Sequence, residues 1–304
     1  MKKIVLSLVM LCTIILIANY VSFGQSRPDW KTDIKDLIAK HKCVIGISIS
    51  DNSCRDTLQI NGNVAFPMQS VFKFHIALAV LSEIDKGKFK LEQKVEIAKE
   101  QLMKDTWSPI RDKYPDGTSL SIAELLNYTV SQSDNNGCDI LLKLIGGTTV
   151  VNDYLKSAGF KNTFVKVTEA EMHASWDAQF NNTTTPDEAT RLLLDFYTGK
   201  IKISEKNYQF LMQALKETTT GPRRIKSLLP EGTVVAHKTG TGGTHETTGI
   251  TSAVNDIGIV FLPNGNYFVI SVLVAESKEA FEVNEEIIAE ISKIAWDHFA
   301  GATK

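Results

Sequence analysis

One short stretch of the chain is apolar on almost every side. Residues 74–81 carry apolar side chains at all positions except His75. A helix without a polar face packs in the interior of a domain, so this stretch predicts a buried central helix. Ser70 and Lys73 stand just before it. Because residues three apart share one face of a helix, the hydroxyl and the amine are expected to lie side by side in its first turn.

Apolar residues at helical spacing predict further helices on either side of this stretch. Ser121 and Glu124 have the spacing of a capping box, which begins a helix that should reach about residue 130. Amphipathic periodicity, glycine stop signals and an N-terminal proline indicate the others. These helices are predicted over residues 29–41, 139–145, 149–157, from 186 onward, from 204 to about 217, and over 282–299.

β-Branched and apolar segments near both ends of the chain predict about five strands. The predicted strands are residues 43–50, 57–60, 233–239, 253–262 and 267–275. The simplest packing is an α/β (α+β) fold with one antiparallel sheet, flanked by the N- and C-terminal helices. Residues 62–215 would be an all-helical lobe, and residues 25–61 with 216–304 an α/β lobe. Active sites tend to lie in a cleft between two such lobes.

The N-terminus has the pattern of a secretory signal. Lys2 and Lys3 precede an apolar run over residues 4–18, which is shorter than the ~20 residues that a spanning helix needs. Small residues then suit a cleavage that leaves Gln25 first. We therefore predict a signal peptide over residues 1–24 and a periplasmic mature protein that forms a single catalytic domain over residues 25–304.

Composition excludes some functions. The formal net charge is −2 at pH 7, and without a basic run the chain is a poor candidate for nucleic-acid binding. The histidines lack metal-ligand spacing, so neither a metal nor a cofactor is predicted. Cys43, Cys54 and Cys138 are expected to be buried, reduced thiols.

Three more polar clusters join Ser70 and Lys73. Alone, each has an ordinary interpretation, as an Asx turn, a glycine-rich strand end or solvated carboxylates. In the first cluster, an extended turn would point Ser133 and Asn135 the same way. The third cluster lies in residues 161–184, which show no period and predict a long loop. The clusters are Ser133-Asp134-Asn135, Lys238-Thr239-Gly240-Thr241-Gly242, and Glu169, Glu171 and His173.

Together, in this order and at these separations, the clusters resemble the signature of the serine penicillin-recognising enzymes, specifically the class A β-lactamases. The resemblance covers residues 30–300. Gln69, residues 133–139 and His173 are similar to the PER, VEB and CME branch found in Bacteroidota and some other Gram-negative bacteria. The resemblance implies a β-lactamase/transpeptidase-like fold and a monomer that hydrolyses penicillins and cephalosporins, including oxyimino-cephalosporins, as small-molecule substrates.

The resemblance also implies catalytic roles. Ser70 would attack the lactam carbonyl after losing its proton to Lys73 or to a water held by Glu169, and the sequence leaves that choice open. Glu169 would activate the water that removes the acyl group. Ser133 would pass a proton to the leaving nitrogen, and Lys238 would lend positive potential.

Substrate-binding residues follow from the same resemblance. The substrate carboxylate would meet Thr239, Thr241 and Arg224, whose spacing to Lys238 matches a family arginine, whereas Arg223 is expected to be solvated. Gly240 lets a ligand approach the backbone. Three further residues are expected at the side-chain end of the cleft: Asn135 at the substrate amide, Trp107 at the entrance and His173 in a rearranged loop.

Two rivals remain at the level of sequence. A D-alanyl-D-alanine carboxypeptidase, a low-molecular-weight penicillin-binding protein, has the serine, lysine and Lys-Thr-Gly elements but lacks the deacylating glutamate. A non-catalytic penicillin-sensor domain is acylated and stays so, and usually carries transmembrane helices. Turnover distinguishes the hydrolase from both.

Overall fold

The computed structural model describes residues 29–301, so the predicted signal peptide lies outside the described residues. Nine strands occur in this part of the chain. They are β1 (Val44–Asp51), β2 (Thr57–Ile60), β3 (Phe66–Pro67), β4 (Lys94–Ala98), β5 (Gly117–Ser121), β6 (Thr183–Thr184), β7 (Val235–Thr241), β8 (Thr251–Phe261) and β9 (Tyr267–Ser277).

Ten α-helices accompany them in the same range. They are α1 (Trp30–Ile38), α2 (Phe72–Asp85), α3 (Pro109–Lys113), α4 (Ile122–Ser131), α5 (Asn135–Ile145), α6 (Thr148–Ser157), α7 (Glu169–Ala174), α8 (Pro186–Tyr197), α9 (Glu205–Lys216) and α10 (Phe281–Gly301). Short 3₁₀ turns lie at Gln69–Val71, Lys99–Gln101 and Asp177–Phe180.

A five-stranded antiparallel sheet confirms the predicted single sheet, and its strand order is β2-β1-β9-β8-β7. Strand β7 is therefore an edge strand, and it lies against the turn that carries Ser70. Helices α1 and α10 pack on one face through a cluster that includes Ile34, Ile287 and Phe268. This packing follows from the single apolar face of each terminal helix.

Helix α2 is the buried helix that the apolar stretch predicts. Every side chain from Phe72 to Leu81 is buried, and the core around it includes apolar residues of α4, α5 and α6. Such a helix is fixed from all sides, so it is a rigid support for the residues in its first turn.

Some expectations from the sequence are wrong in detail. Two small two-stranded sheets, β3 with β6 and β4 with β5, interrupt the segment predicted to be all-helical. The predicted loop over 161–184 contains α7, which the Thr168 and Glu171 capping box begins. The capping box is a local helix signal, but the segment has no apolar periodicity, and its pattern therefore predicts a loop.

The cysteine prediction is partly wrong. Cys138 is buried, but Cys43 is only half-buried and Cys54 is exposed in the turn between β1 and β2. A short hairpin turn has no second layer of structure above it, which explains the exposure. All three are free thiols.

Candidate active site

Ser70 and Lys73 meet as helix geometry predicts. Ser70 lies in the 3₁₀ turn Gln69–Val71, which runs directly into α2, and Lys73 is the second residue of that helix. Lys73 Nζ donates to Ser70 Oγ at 2.7 Å and to the carbonyl oxygen of Ser133 at 2.9 Å, and also to Asn135 Oδ1. The ammonium is completely buried, so these acceptors replace its water.

Glu169 completes the contact set around the nucleophile. Its Oε1 lies 2.7 Å from Lys73 Nζ and 3.4 Å from Ser70 Oγ. Glu171 is exposed, and its carboxylate accepts from the backbone N–H of Thr168 as the helix cap of α7. The structure therefore brings Glu169, and not Glu171, to Ser70.

Asp139 holds the backbone of Glu169. Its carboxylate accepts from the Glu169 amide at 2.8 Å and from the Ala170 amide at 2.9 Å. Burial, with a smaller effect of the Glu169 charge, raises the pKa of Asp139 to about 6. Asp139 thus fixes the loop that carries Glu169.

Ser133 lies between the two lysines. Its Oγ accepts from Lys238 Nζ at 2.9 Å and from Lys73 Nζ at 3.5 Å. The turn is not extended as expected, because Ser133 has φ 59° and Asn135 is already the first residue of α5. Asp134 explains this geometry, since its buried carboxylate caps α5 at Gly137 N and also accepts from Ser108 Oγ.

Lys238 is buried on β7. Burial, together with the nearby Lys73 ammonium, holds the pKa of Lys238 well below its usual value. Gly240 follows it, and a Cβ at that position would lie 2.3 Å from the carbonyl oxygen of Met68. Only glycine therefore lets the β7 backbone approach the turn of Ser70 this closely.

Arg224 reaches the end of β7 but is itself buried. Its guanidinium donates to Thr241 Oγ1 at 2.7 Å, to the carbonyl oxygens of Gly240 and Asn255, and to Glu285 Oε1 at 3.1 Å. Arg223 is exposed, and its Nε lies 3.8 Å from Glu285. In this geometry Arg224 acts on the cleft through the Thr241 hydroxyl.

Two adjoining cavities form the cleft, and Asn135 and Thr241 belong to both. The cavity at Ser70 has a volume of about 320 Å³. Trp107, 59% exposed, lines it, and its Nε1 donates to the Gln132 carbonyl oxygen. This cavity is lined by Ser70, Trp107, Ser133, Asn135, Thr220, Thr239 and Thr241.

The second cavity, here called the side cavity, has a volume of about 530 Å³. Its walls are residues of α7 and the following turn, including exposed His173, and the loop between β7 and β8. Sequence reasoning missed Thr220, whose hydroxyl shares a 2.6 Å hydrogen bond with Thr239, and Gln179 in the side cavity. No local pattern marks either residue, because both partners are distant in sequence.

Comparison with known proteins places this geometry in a family. The model of the β-lactamase enzyme family matches residues 29–299. The chain belongs to this family and is a class A serine β-lactamase of the PER/VEB-like branch, as the sequence clusters predict. The two-layer fold is also that of class A β-lactamases.

Individual relatives are similar over nearly the whole chain. β-Lactamase VEB-1 of Pseudomonas aeruginosa is 50% identical over 88% of this chain and 89% of its own. Extended-spectrum β-lactamase PER-1 of the same species is 39% identical over 97% and 96%. The crystal structure of a class A β-lactamase from Bacteroides cellulosilyticus DSM 14838 superimposes with a TM-score of 0.85, at 40% identity over 90% of this chain and 97% of that one.

Proposed function

We propose that Ser70 is the nucleophile, which the β-lactam substrate acylates, and that Glu169 directs the water that removes the acyl group. One observation supports this most directly. The Lys73 ammonium lies 2.7 Å from both Ser70 Oγ and Glu169 Oε1, so the nucleophile, an amine and a carboxylate form one hydrogen-bonded group. A serine hydroxyl becomes a strong nucleophile only when a nearby base takes its proton, and the neutral Lys73 amine and the Glu169 carboxylate are the basic groups here.

Acylation uses the residues nearest Ser70. Lys73 in its neutral amine form, after its proton has passed to Glu169, or a water held by Glu169 takes the hydroxyl proton while Oγ bonds to the lactam carbonyl carbon. The carbonyl oxygen becomes an oxyanion, which the backbone N–H groups of Ser70 and Thr241 stabilise. The C–N bond then breaks, and Ser133, held by Lys238, gives its proton to the leaving nitrogen. Lys73, whose Nζ lies 3.5 Å from Ser133 Oγ, passes a proton to Ser133 in its place.

Deacylation needs a positioned water. Glu169 takes a proton from a water that attacks the ester carbon, the Oγ–C bond breaks, and Glu169 returns this proton to Ser70 Oγ. The Glu169 carboxylate is 3.4 Å from Ser70 Oγ, so it can accept a hydrogen bond from a water beside the ester carbonyl. This step separates a hydrolase from a protein that penicillin inactivates.

The substrate carboxylate binds where hydroxyls and positive charge converge. Thr239 and Thr241 line the Ser70 cavity, and the buried Arg224 guanidinium donates a hydrogen bond to the Thr241 hydroxyl. Asn135 and Trp107 line the same cavity, where Asn135 receives the side-chain amide of the substrate and Trp107 flanks the entrance.

The proposed substrate range of the enzyme includes oxyimino-cephalosporins. The side cavity beside Ser70 offers about 530 Å³ for a bulky acyl side chain, with His173 on its wall. PER-1 is named an extended-spectrum enzyme, and so is the structurally similar TLA-1, which is 48% identical with a TM-score of 0.86. Turnover of ceftazidime and cefotaxime tests this range separately from penicillin hydrolysis.

Steady-state turnover of a chromogenic cephalosporin tests the function itself. The purified enzyme should give many product molecules per enzyme. A single stoichiometric burst followed by no further release would instead identify a penicillin-binding protein or a sensor domain. Ser70→Ala is the control, since it removes the proposed nucleophile and should abolish turnover.

A periplasmic monomer remains a prediction. Within residues 29–301 no helix is long and apolar enough to cross a membrane. Cell fractionation and size-exclusion chromatography test location and oligomeric state, and recovery in a salt-resistant membrane pellet would contradict the first.

A further inference from the structure

Three separate segments meet at one glutamine beside the cleft. Gln179 lies in the 3₁₀ turn Asp177–Phe180, after α7. It contacts Gln69, the residue before the nucleophile, and both ends of the loop between β7 and β8. These partners are at least 64 residues away in sequence, so the contacts join the walls of the cleft.

Gln179 uses two different oxygens for these contacts. Its backbone carbonyl oxygen accepts from Gln69 Nε2 at 3.0 Å. Its side-chain Oε1 accepts from the Gly243 amide at 2.9 Å and from Ser252 Oγ at 2.9 Å. A change in the side chain therefore breaks the link to the β7–β8 loop and keeps the link to the nucleophile turn.

A ring contact strengthens the same link. Trp176 and His245 meet edge to face, with centroids 4.9 Å apart. We call the contacts among Trp176, Gln179, Gly243, His245 and Ser252 the clasp. All of these residues except Ser252 line the side cavity.

The outer wall of the side cavity is the β7–β8 loop. Its own hydrogen bonds pair it as a hairpin, for example from the His245 amide to the Ile250 carbonyl oxygen, but these bonds do not reach α7. Thr244 and residues 246–249 are exposed, so the β7–β8 loop has little core packing of its own. Segments with few buried contacts open at low free-energy cost. The contacts of the clasp therefore set the distance between the β7–β8 loop and α7.

We propose that the clasp, through the Gln179 side chain, sets the width of the side cavity and so determines specificity for the acyl side chain of the substrate. This inference rests on the proposed function. Gln179 is a positioning residue, because it acts through Gly243 and Ser252 and not on the reacting atoms. Substrates that place a bulky group in the side cavity depend on the clasp, and substrates without such a group do not.

The chemistry at Ser70 is held independently. Asp139 binds the backbone of Glu169, and Lys73 binds its carboxylate. Neither contact involves the clasp. Opening the outer wall should therefore leave the geometry of Ser70 and Glu169 unchanged.

The test compares Gln179→Met with the parent enzyme on two substrates. Methionine keeps the side-chain length and removes the oxygen. For cefotaxime, KM should rise about tenfold, since two donors lose their acceptor and the wall moves away. For 6-aminopenicillanic acid, which has no acyl side chain, kcat/KM should change less than about twofold. Gln213→Met is the matched control, because Gln213 is exposed and its amide donates to Glu217 on the surface of α9.

A second variant keeps the test valid if Gln179→Met does not fold. Ser252→Ala removes one of the two donors to Gln179 Oε1. It should raise the KM for cefotaxime by a smaller factor than Gln179→Met does, and again leave kcat/KM for 6-aminopenicillanic acid almost unchanged. Equal losses on both substrates, or no loss on either, would overturn the proposal. A parent enzyme that turns over neither substrate would instead refute the proposed function, so the two failures are distinct.

Discussion

The cleft has two regions with opposite construction. The Ser70 cluster consists of Ser70, Lys73, Ser133, Glu169 and Lys238. Its two lysines stand on the buried first turn of α2 and on the buried part of strand β7. Both lysines in it are completely buried, and each donates to at least two oxygens. The outer wall of the side cavity is an exposed hairpin loop, which the hydrogen bonds and the ring contact of the clasp join to the turn after α7.

This difference has a physical meaning. Buried charges are costly unless every one has partners, so the Ser70 cluster tolerates no loose member. The outer wall of the side cavity carries no buried carboxylate or lysine, so it can change shape at little cost in stability. Chemistry and substrate range are thus supported by different contacts, and substitutions in the two regions should have separable effects.

The largest effect is expected inside the Ser70 cluster. Lys73→Met removes the donor shared by Ser70 Oγ, Glu169, Asn135 and the Ser133 carbonyl oxygen. Acylation should slow by roughly 10²–10⁴-fold, the usual value of a positioned acid-base group. Stopped-flow measurement of penicillin acylation checks this.

Lys86→Met is the control for that experiment. Lys86 follows the last residue of the same helix, but it is exposed and pairs with Glu83 at the surface. This variant should acylate at the parental rate. A Lys73 variant that acylates as fast as the parent would show that the buried ammonium has no part in activating Ser70.

An intermediate effect is expected at the edge of the cluster. Arg224→Ala removes the donor to Thr241 Oγ1, so substrates with a carboxylate should bind more weakly by about 1.5–3 kcal/mol. It also leaves the buried Glu285 without its 3.1 Å partner, so the melting temperature should fall. Arg223→Ala should change both quantities little, because Arg223 is exposed. Equal effects of the two variants in KM and melting temperature would show that the buried guanidinium is not the functional one.

The smallest effect is a pH dependence at Asp139. Its pKa is raised from 3.8 to about 6 in the folded protein, so the folded state holds this proton more tightly than the unfolded chain does. Stability from this group is therefore lost as pH rises from about 4 to about 6, and the loss is constant above that range. The amide in the Asp139→Asn variant cannot ionise. The parent should thus lose melting temperature relative to this variant over the interval, and a difference that stays flat with pH would contradict the assignment.

Sequence predicted the parts of the site that depend on local geometry. The Ser70 and Lys73 contact follows from helical spacing. The strands predicted over residues 253–262 and 267–275 pair as β8 and β9 across a turn in which Gly265 has φ 82°. Family resemblance supplied Glu169, which lies 99 residues from Ser70 and which no local period could have brought there.

The remaining features depend on distant contacts. The left-handed backbone of Ser133 follows from how Asp134 binds Ser108, 26 residues away. The clasp joins Gln179 to Gly243 across two loops that have no periodic pattern. Such contacts result from the packing of the whole fold, so the pattern of residues 161–184 predicted only a long loop.

The central claim is that Glu169 frees Ser70 from its acyl group, and mass spectrometry of the Glu169→Ala variant with a penicillin tests it most directly. The account predicts a long-lived adduct of one penicillin on Ser70, because the ester forms but no carboxylate directs water to it. Glu171→Ala is the matched control and should turn over almost normally, since Glu171 caps α7 away from Ser70. Release of product by the Glu169 variant at the parental rate, with no adduct, would contradict the mechanism.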